Sequence, residues 1–377
     1  MLAKLLIGYA LIYSTVHLLL YLRLRPLLPA GRAWGLGLGG WFALMVLAPP
    51  GARGLERLGL GGPAGLAAWV GFLWMGLALI AFGLALASWI LDWLWGMARR
   101  LRGRPPVQAA RAWAAAVLGG ALLLTAWGLV EAQGLHLSRV TITTPKLPPE
   151  VVRLRVVQFS DLHLGTLVGR KYLERLVRLA AAQQPDLVVS TGDLVDGYIP
   201  RAGELARVLA RLPAALGKFA VTGNHEHYAG LDYALDFTRR AGFRLLRQEA
   251  VCPAGLVNLA GVDDPGWGRQ LPDEAPVLAG LDHRRFTILL KHRPLPTPAG
   301  RRRADLMLSG HTHGGQVWPF GHIVALVYPY LEGLYALGGG HRLYVSRGAG
   351  TWGPPLRLFT PPEVVVIDLV REQPRPE

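Results

Sequence analysis

The sequence has little charge and almost no cysteine. Only 17% of the 377 residues are charged, where soluble domains carry about a quarter, and the mean hydropathy is +0.30. A hydrophobic content of 51% excludes a disordered or fibrous chain, because disorder requires too little apolar surface to bury. The single cysteine, Cys252, forbids an intrachain disulfide and a thiolate metal cluster. Alone, it reads as a small buried apolar residue. Acidic side chains are scarcest of all in the first 145 residues, where only Glu56, Asp92 and Glu131 stand against 12 Lys and Arg. That imbalance points to lipid.

The formal net charge of +15 therefore does not indicate a nucleic-acid ligand. Much of the surplus sits in short segments between apolar runs, where membrane proteins place their basic cytoplasmic loops. Lysine is rare, with 5 against 35 arginines, which reflects coding bias and not a phosphate-binding surface. The later part of the chain, with 28 basic and 22 acidic residues, shows no basic stripe with interleaved aromatics.

Four apolar runs are expected to span a bilayer: 2–22, 34–48, 66–91 and 112–130. Each approaches the roughly 20 residues that a helical span needs, except the Gly-rich second run, which is the weakest. The first run is long and ends at Arg23 and Arg25, so it reads as a retained anchor and not a cleaved leader. Arg23, Arg25 and Arg32, and then Arg99, Arg100, Arg102, Arg104 and Arg111, mark two inside loops. With four spans, the remainder of the chain faces the outer side. His17, Asp92 and Glu131 are the ionisable residues in or at the ends of these runs, and packing and anchoring suffice to explain them.

Three regions are expected: a transmembrane helical region over 1–133, a stiff Pro-containing linker over 134–150, and a catalytic domain over 151–377. In the last, short Val/Leu-rich runs alternate with helix-period segments, the pattern of an α/β domain. Strands are expected at 153–159, 186–191, 217–222, 257–262, 286–291 and 304–309, then at 322–327, 342–346 and 363–369. Helices are expected at 170–183, 203–211 and 230–241.

Five strand ends carry metal-type ligands. Asp161 and His163 follow the first, Asp193 the second, Asn224 and His225 the third, His292 the run 286–291, and His311 and His313 the run 304–309. In α/β sheets the crevice beyond the carboxyl ends of the strands is where ligands bind, so these side chains are expected to converge. Each piece alone has an ordinary turn or cap reading. Two histidines one residue apart between glycines, in Gly310-His311-Thr312-His313-Gly314-Gly315, have little packing purpose, and His292 at an apolar strand end would be penalised by burial alone.

The series Asp161-x-His163, Gly192-Asp193, Gly223-Asn224-His225-Glu226, His292 and Gly310-His311-x-His313 resembles the calcineurin-like metallophosphoesterases over roughly residues 150–370. Gly310 to Gln316, Ser346-Arg347-Gly348 and Pro361-Pro362-Glu363 resemble the bacterial membrane-tethered branch, in its multi-span form. The resemblance implies a four-layer α/β/β/α sandwich of two mixed sheets. It also implies two divalent metal ions, one held by Asp161, His163 and His313, the other by Asn224, His292 and His311, with Asp193 bridging. His225 would be the general acid and a metal-bridging hydroxide the nucleophile. Mn, Fe or Zn suits this nitrogen and oxygen donor set. Arg347 is a candidate contact for the phosphate or for a ligand carboxylate, and Glu226 is expected to fix its loop without ligating. The function expected is hydrolysis of phosphate mono- or diesters, on lipid-linked or cell-envelope substrates, by a chain anchored in the membrane. The alternatives are a nucleotide phosphodiesterase or nuclease, and a membrane sensor with a non-catalytic metal-binding domain.

Overall fold

The computed structural model describes the chain except residues 1, 30, 104–108, 198, 200, 267 and 373–377, and only the backbone of residues 2–5. Arg104 thus lies outside the described residues. Two compact units emerge: Met1–Glu131 with Gly353–Leu358, and Ala132–Trp352 with Phe359–Glu377. The short segment Gly353–Leu358, expected within the catalytic domain, folds with the apolar helices.

The first unit contains α1 (Leu2–Leu24), α2 (Arg32–Arg57), α3 (Gly61–Leu101) and α4 (Ala110–Glu131). All four are long and apolar enough to cross a membrane. The weak second run is a full helix of 26 residues, because glycine lowers helix propensity but does not forbid a helix that packs. Small residues allow that packing: a Cβ on Gly71 would lie 2.8 Å from the Cβ of Ala48. The three ionisable groups are satisfied. His17 accepts from Trp74 Nε1 at 2.9 Å and donates from Nδ1 to the Tyr13 carbonyl at 2.7 Å. Asp92 accepts from Trp113 Nε1 at 3.1 Å and pairs with Arg23 at 3.6 Å, and Glu131 accepts from Trp127 at 3.1 Å. Within this unit, the Arg357 amide donates to the Gly128 carbonyl at 3.0 Å.

The second unit runs β1 (His136–Thr144), β2 (Arg153–Phe159), α5 (Arg170–Ala181), β3 (Leu187–Ser190), α6 (Ala202–Ala210), β4 (Lys218–Ala220), α7 (Asn224–Ala229), α8 (Leu231–Arg240), β5 (Arg244–Leu245), β6 (Glu249–Val251) and β7 (Val257–Val262). It continues through α9 (Ala275–Leu278), β8 (Phe286–Lys291), α10 (Pro298–Arg303), β9 (Leu306–Ser309), α11 (Gly321–Ala325), β10 (Gly333–Gly338), β11 (His341–Val345) and β12 (Glu363–Arg371). One six-stranded sheet has the order β1-β12-β2-β3-β4-β5 and the other β10-β11-β9-β8-β7-β6. In the first, β2, β3 and β4 are parallel and β12 is antiparallel to β2; in the second, β7, β8 and β9 are parallel.

Alternate residues of each strand serve opposite faces, and the core follows that period. Val156, Val189, Ile288, Leu290, Leu306 and Leu308 meet between the sheets. Val157 and Val188 face outward onto Leu173 and Leu176 of α5 and Leu209 of α6. Leu289 and Met307 face outward onto Leu278 of α9 and Ala304 beside α10. The expected four-layer arrangement of two mixed sheets with helices outside is what forms.

Three local expectations fail. The supposed linker holds β1, which pairs parallel with β12 from His136↔Glu363 to Thr144↔Arg371. Its alternating polar and β-branched residues suit an edge strand with one buried face, and Ile142 is buried while Thr141 and Thr143 are exposed. The run expected as a strand at 322–327 instead contains α11, pairs with no strand among the described residues, and leaves Ile323, Leu326 and Val327 exposed. Cys252 is exposed rather than buried. If β1 belongs to the fold, Ile142→Ala costs about 2–5 kcal/mol by cavity formation, and Thr141→Ala costs little. Thermal unfolding of the full chain in detergent checks this. Equal midpoints for the two variants would contradict it.

Candidate metal centre

Every ligand-type side chain follows a strand. Asp161 and His163 come after β2, Asp193 after β3, His292 after β8, and His311 and His313 after β9, while Asn224 and His225 open α7 just beyond β4. The chain must leave each strand sharply to aim these groups into one crevice. Asp161, His163, Asp193, His311 and His313 accordingly adopt left-handed backbone, with φ of 52°, 50°, 51°, 75° and 53°. Such conformations cost about 1–3 kcal/mol each and persist only where the surroundings enforce them. Backbone bonds do so here: the Asp161 amide donates to the Gly192 carbonyl and the His163 amide to the Asp193 carbonyl, both at 3.0 Å. Two glycines make room. A Cβ on Gly223 would lie 2.1 Å from Asp193 Oδ1, and one on Gly310 would lie 2.1 Å from Asp161 Oδ2.

Asp161, His163 and His313 form one group whose ligand atoms lie within 4.8 Å of one another, and Asp193, His292 and His311 form a second. In the first, His163 Nε2 is 3.0 Å from His313 Nε2, and His313 Nε2 is 3.6 Å from Asp161 Oδ1. In the second, His292 Nε2 is 3.1 Å from His311 Nδ1, 3.2 Å from Asp193 Oδ2 and 3.2 Å from Asn224 Oδ1. Asp193 Oδ2 also lies 3.8 Å from His163 Nε2, so its carboxylate reaches both groups. The structure brings together all seven residues expected as metal ligands.

The hydrogen bonds leave this cluster short of protons. His292 Nδ1 lies 2.8 Å from the Thr191 carbonyl, an acceptor, so Nδ1 carries the hydrogen. In the neutral ring, Nε2 then presents a lone pair to two oxygen acceptors, a costly arrangement in a buried site. A cation resolves it, either a proton or a metal. Burial resists charging His292, but Asp193 outweighs it and raises the pKa to about 10. Burial also opposes ionisation of Asp193, yet His292 and His225 hold its carboxyl well below the usual range. Burial and the neighbouring His292 charge push His311 well below an ordinary imidazole. His, Asp and Asn donors facing inward, with no thiolate, fit divalent ions of the kind that accept nitrogen and oxygen.

His225 forms a third such group with His163 and Asp193, one member from each of the other two. Its amide donates to Asp193 Oδ1 at 2.8 Å, its Nδ1 bonds Asp196 Oδ1, and its ring meets His163 edge-on at 4.6 Å. Burial lowers its pKa, but Asp193 and Asp196 prevail and raise it. Glu226 does fix the loops. Its carboxylate accepts from the amides of Gly223, Asp193 and Leu194 at 2.7, 3.0 and 2.7 Å.

Arg347 is engaged elsewhere. Its guanidinium pairs with Glu363 at 3.1 Å and lies 3.9 Å from Glu332, so its carboxylate partners are neither of the ligands Asp161 and Asp193. Sequence reading overlooked Asp196 and Tyr328. Asp196 lies three residues past Asp193 and beside Gly197, a spacing that offered a weak signal. Tyr328, whose hydroxyl is 2.8 Å from His311 Nε2, lies one residue past the run mistaken for a strand and offered none.

The calcineurin-like phosphoesterase family model matches residues 154–315, which include all seven ligand candidates and His225. An uncharacterized metallophosphoesterase of Aquifex aeolicus is 42% identical over 255 residues, covering 66% of this chain and 97% of that protein. A metallophosphoesterase of Bacillus subtilis is 35% identical over 61% of this chain and 83% of its own length. A protein of Danio rerio named as a transmembrane protein with a metallophosphoesterase domain is 35% identical over 66% of this chain and 62% of its own length. With the ligand pattern, the two-sheet sandwich and a relative 42% identical over 97% of its length, this chain belongs to the calcineurin-like phosphoesterases.

Proposed function

We propose that this metal-dependent phosphoesterase holds two divalent ions, one at Asp161, His163 and His313 and one at Asn224, His292 and His311, with Asp193 shared, and hydrolyses phosphate mono- or diesters. The observation that carries the reading is the meeting of seven ligand-type side chains from five strand ends. A sensor that had abandoned catalysis would have no reason to keep all of them aimed inward beside His225. When bound, a pair of divalent ions supplies Lewis acidity, polarising the phosphoryl group and making water a competent nucleophile at neutral pH.

The chain's own residues supply the rest. Asp193, whose carboxyl is held well below the usual range, and Asp161, whose pKa burial raises in the metal-free site, would supply the negative charge that the ions need, while Asn224 and the imidazoles would add donors without adding charge. Limiting the cage to two carboxylates lets an anionic ester approach. His225 donates through Nδ1 to Asp196, which leaves Nε2 to deliver a proton to the leaving oxygen. Its raised pKa keeps that proton available near neutrality.

The four apolar helices anchor the enzyme, and we assign the catalytic unit to the outer face because the arginine-rich segments after α1 and between α3 and α4 mark the inner one. A tethered crevice samples esters near the membrane more often than those in bulk, which favours lipid-linked or envelope phosphates.

Turnover of bis-p-nitrophenyl phosphate and p-nitrophenyl phosphate, with Mn²⁺ and after chelation, tests this function. Chelation should abolish it reversibly, and Asp193→Asn should abolish it outright; chelator-resistant turnover would refute the reading. His225→Ala should cost about 10²–10⁴-fold on an alkyl phosphoester, and much less on a p-nitrophenyl ester, whose leaving group needs no proton. Gly223→Ala, which forces Asp193 aside, should weaken metal affinity or activity by about 10–100-fold, as displaced supporting groups commonly do. An unchanged Gly223→Ala enzyme would show that the Asp193 position is not critical.

The pH dependence of metal uptake follows from His292. Its folded pKa lies above the ordinary 6.5, at about 10, so its proton stabilises the metal-free fold fully below 6.5 and no longer does so once pH passes 10. A metal needs the same lone pair and must displace that proton. Mn²⁺ affinity measured calorimetrically should therefore rise with pH across this window, with proton release. Affinity independent of pH would contradict the assignment of His292 as a ligand.

A further inference from the structure

Residues 314–331 contain no Asp, Glu, Lys or Arg, and several of their large apolar side chains are in the open. Leu326 is 86% exposed and Val327 66%, and Trp318 and Ile323 are exposed beside them in sequence. Trp352 and Phe359, from another part of the chain, are exposed as well, and the Trp318 and Phe359 rings meet edge-on at 6.2 Å. The pieces form one scaffold. Gln316 Nε2 donates to the Trp352 carbonyl and the Trp352 amide donates to Gln316 Oε1, both at 2.9 Å, while Thr360 Oγ1 donates to the Gln316 carbonyl at 2.7 Å.

This scaffold touches the metal centre at two points. Tyr328, at the end of the uncharged run, has its hydroxyl 2.8 Å from His311 Nε2. Trp352 lies edge-on to His225 with ring centroids 5.8 Å apart. The apolar side chains are therefore carried on the segments that border the reacting groups. Exposed apolar surface on such a border marks a contact with something apolar.

The occupant follows from composition and connectivity. An interface for a protein normally surrounds its apolar centre with a polar rim, and this run has no charged residue to supply one. Trp and Tyr beside Leu, Ile and Val are the residues of membrane–water interfaces. Trp352 and Phe359 are each joined by one peptide bond to Gly353–Leu358, the segment that folds with the apolar helices. The surface is thus continuous along the chain with a segment that folds among helices long and apolar enough to cross a membrane.

We propose that the uncharged run around α11, with Trp352 and Phe359, is a bilayer-engaging rim that sets the mouth of the metal centre at the lipid headgroups, so that the phosphoester is drawn from an amphiphile in the membrane and not from bulk water. The substrate class rests on the phosphoesterase reading above; the engagement itself does not. Leu326, Val327 and Trp318 enter the outer acyl region, and the phosphate of a lipid headgroup then lies level with His311 and His225.

The test is the immersion depth of a nitroxide attached at Leu326→Cys, with the exposed Cys252 replaced by serine, in the full chain reconstituted into nanodiscs of phosphatidylcholine and phosphatidylglycerol. The same label at Arg302→Cys, on α10 before β9 and so at the end of that strand away from His311, is the aqueous control. Collision with oxygen, which concentrates in lipid, relative to a water-soluble nickel chelate should be several-fold greater at 326 than at 302. Equal ratios would overturn the proposal, as would low collision with both reagents together with dipolar broadening from a second copy, which would mean that protein covers this face. Phe359→Cys gives the same reading if the first variant does not fold. Loss of metal-dependent turnover would defeat the catalytic reading and leave the depth result untouched, so the two failures are distinguishable.

Discussion

Buried nitrogen and oxygen atoms that face one another are satisfied by a shared proton or by a metal ion. His163 and His313 turn nitrogens toward each other at 3.0 Å, and His292 turns one toward His311, Asp193 and Asn224 at 3.1–3.2 Å. In water each of these groups would be solvated. Inside a sandwich a cation can take the place of the solvent, and Asp193 outweighs burial to raise the pKa of His292. The same demand explains metal chemistry here without invoking any special residue.

Holding that arrangement requires a rigid frame, because the left-handed turns at five ligand positions are unfavourable on their own. The frame is the pair of sheets. Val156, Val189, Ile288 and Leu308 lock the sheets face to face, and the strands that contribute those residues are the ones whose ends carry Asp161, Asp193, His292 and His311. Gly223 and Gly310 leave space where a methyl group would strike a carboxylate. Glu226 then ties the turn after β3 to the turn after β4 through backbone amides. Fold and site are therefore one construction, in which the hydrophobic core sets the spacing of the polar groups.

Most of that construction was legible in the sequence, since it is local. Short Val/Leu runs of strand period ended in Gly-Asp, Gly-Asn-His and Gly-His, and each such end placed a ligand at a strand terminus. What was not legible depends on partners distant in the chain. The segment His136–Thr144 reads as a polar connector until β12, more than 200 residues later, is known to lie beside it. The run containing Ile323 and Val324 has the composition of a strand, yet it joins neither sheet and is helical over Gly321–Ala325. Asp196 gains meaning from His225 across the loop, and Tyr328 from His311. Arg347 reads as a contact for phosphate or for a ligand carboxylate until Glu363, on β12, is seen to be its carboxylate partner.

The account stands on cations gathered by these seven side chains. Crystals of the full chain grown with Mn²⁺ and measured at the manganese absorption edge locate such ions directly. Two anomalous peaks, one touching Asp161, His163 and His313, the other touching Asn224, His292 and His311, both within reach of Asp193, are the expected result. A single peak, or density away from these residues, would contradict it.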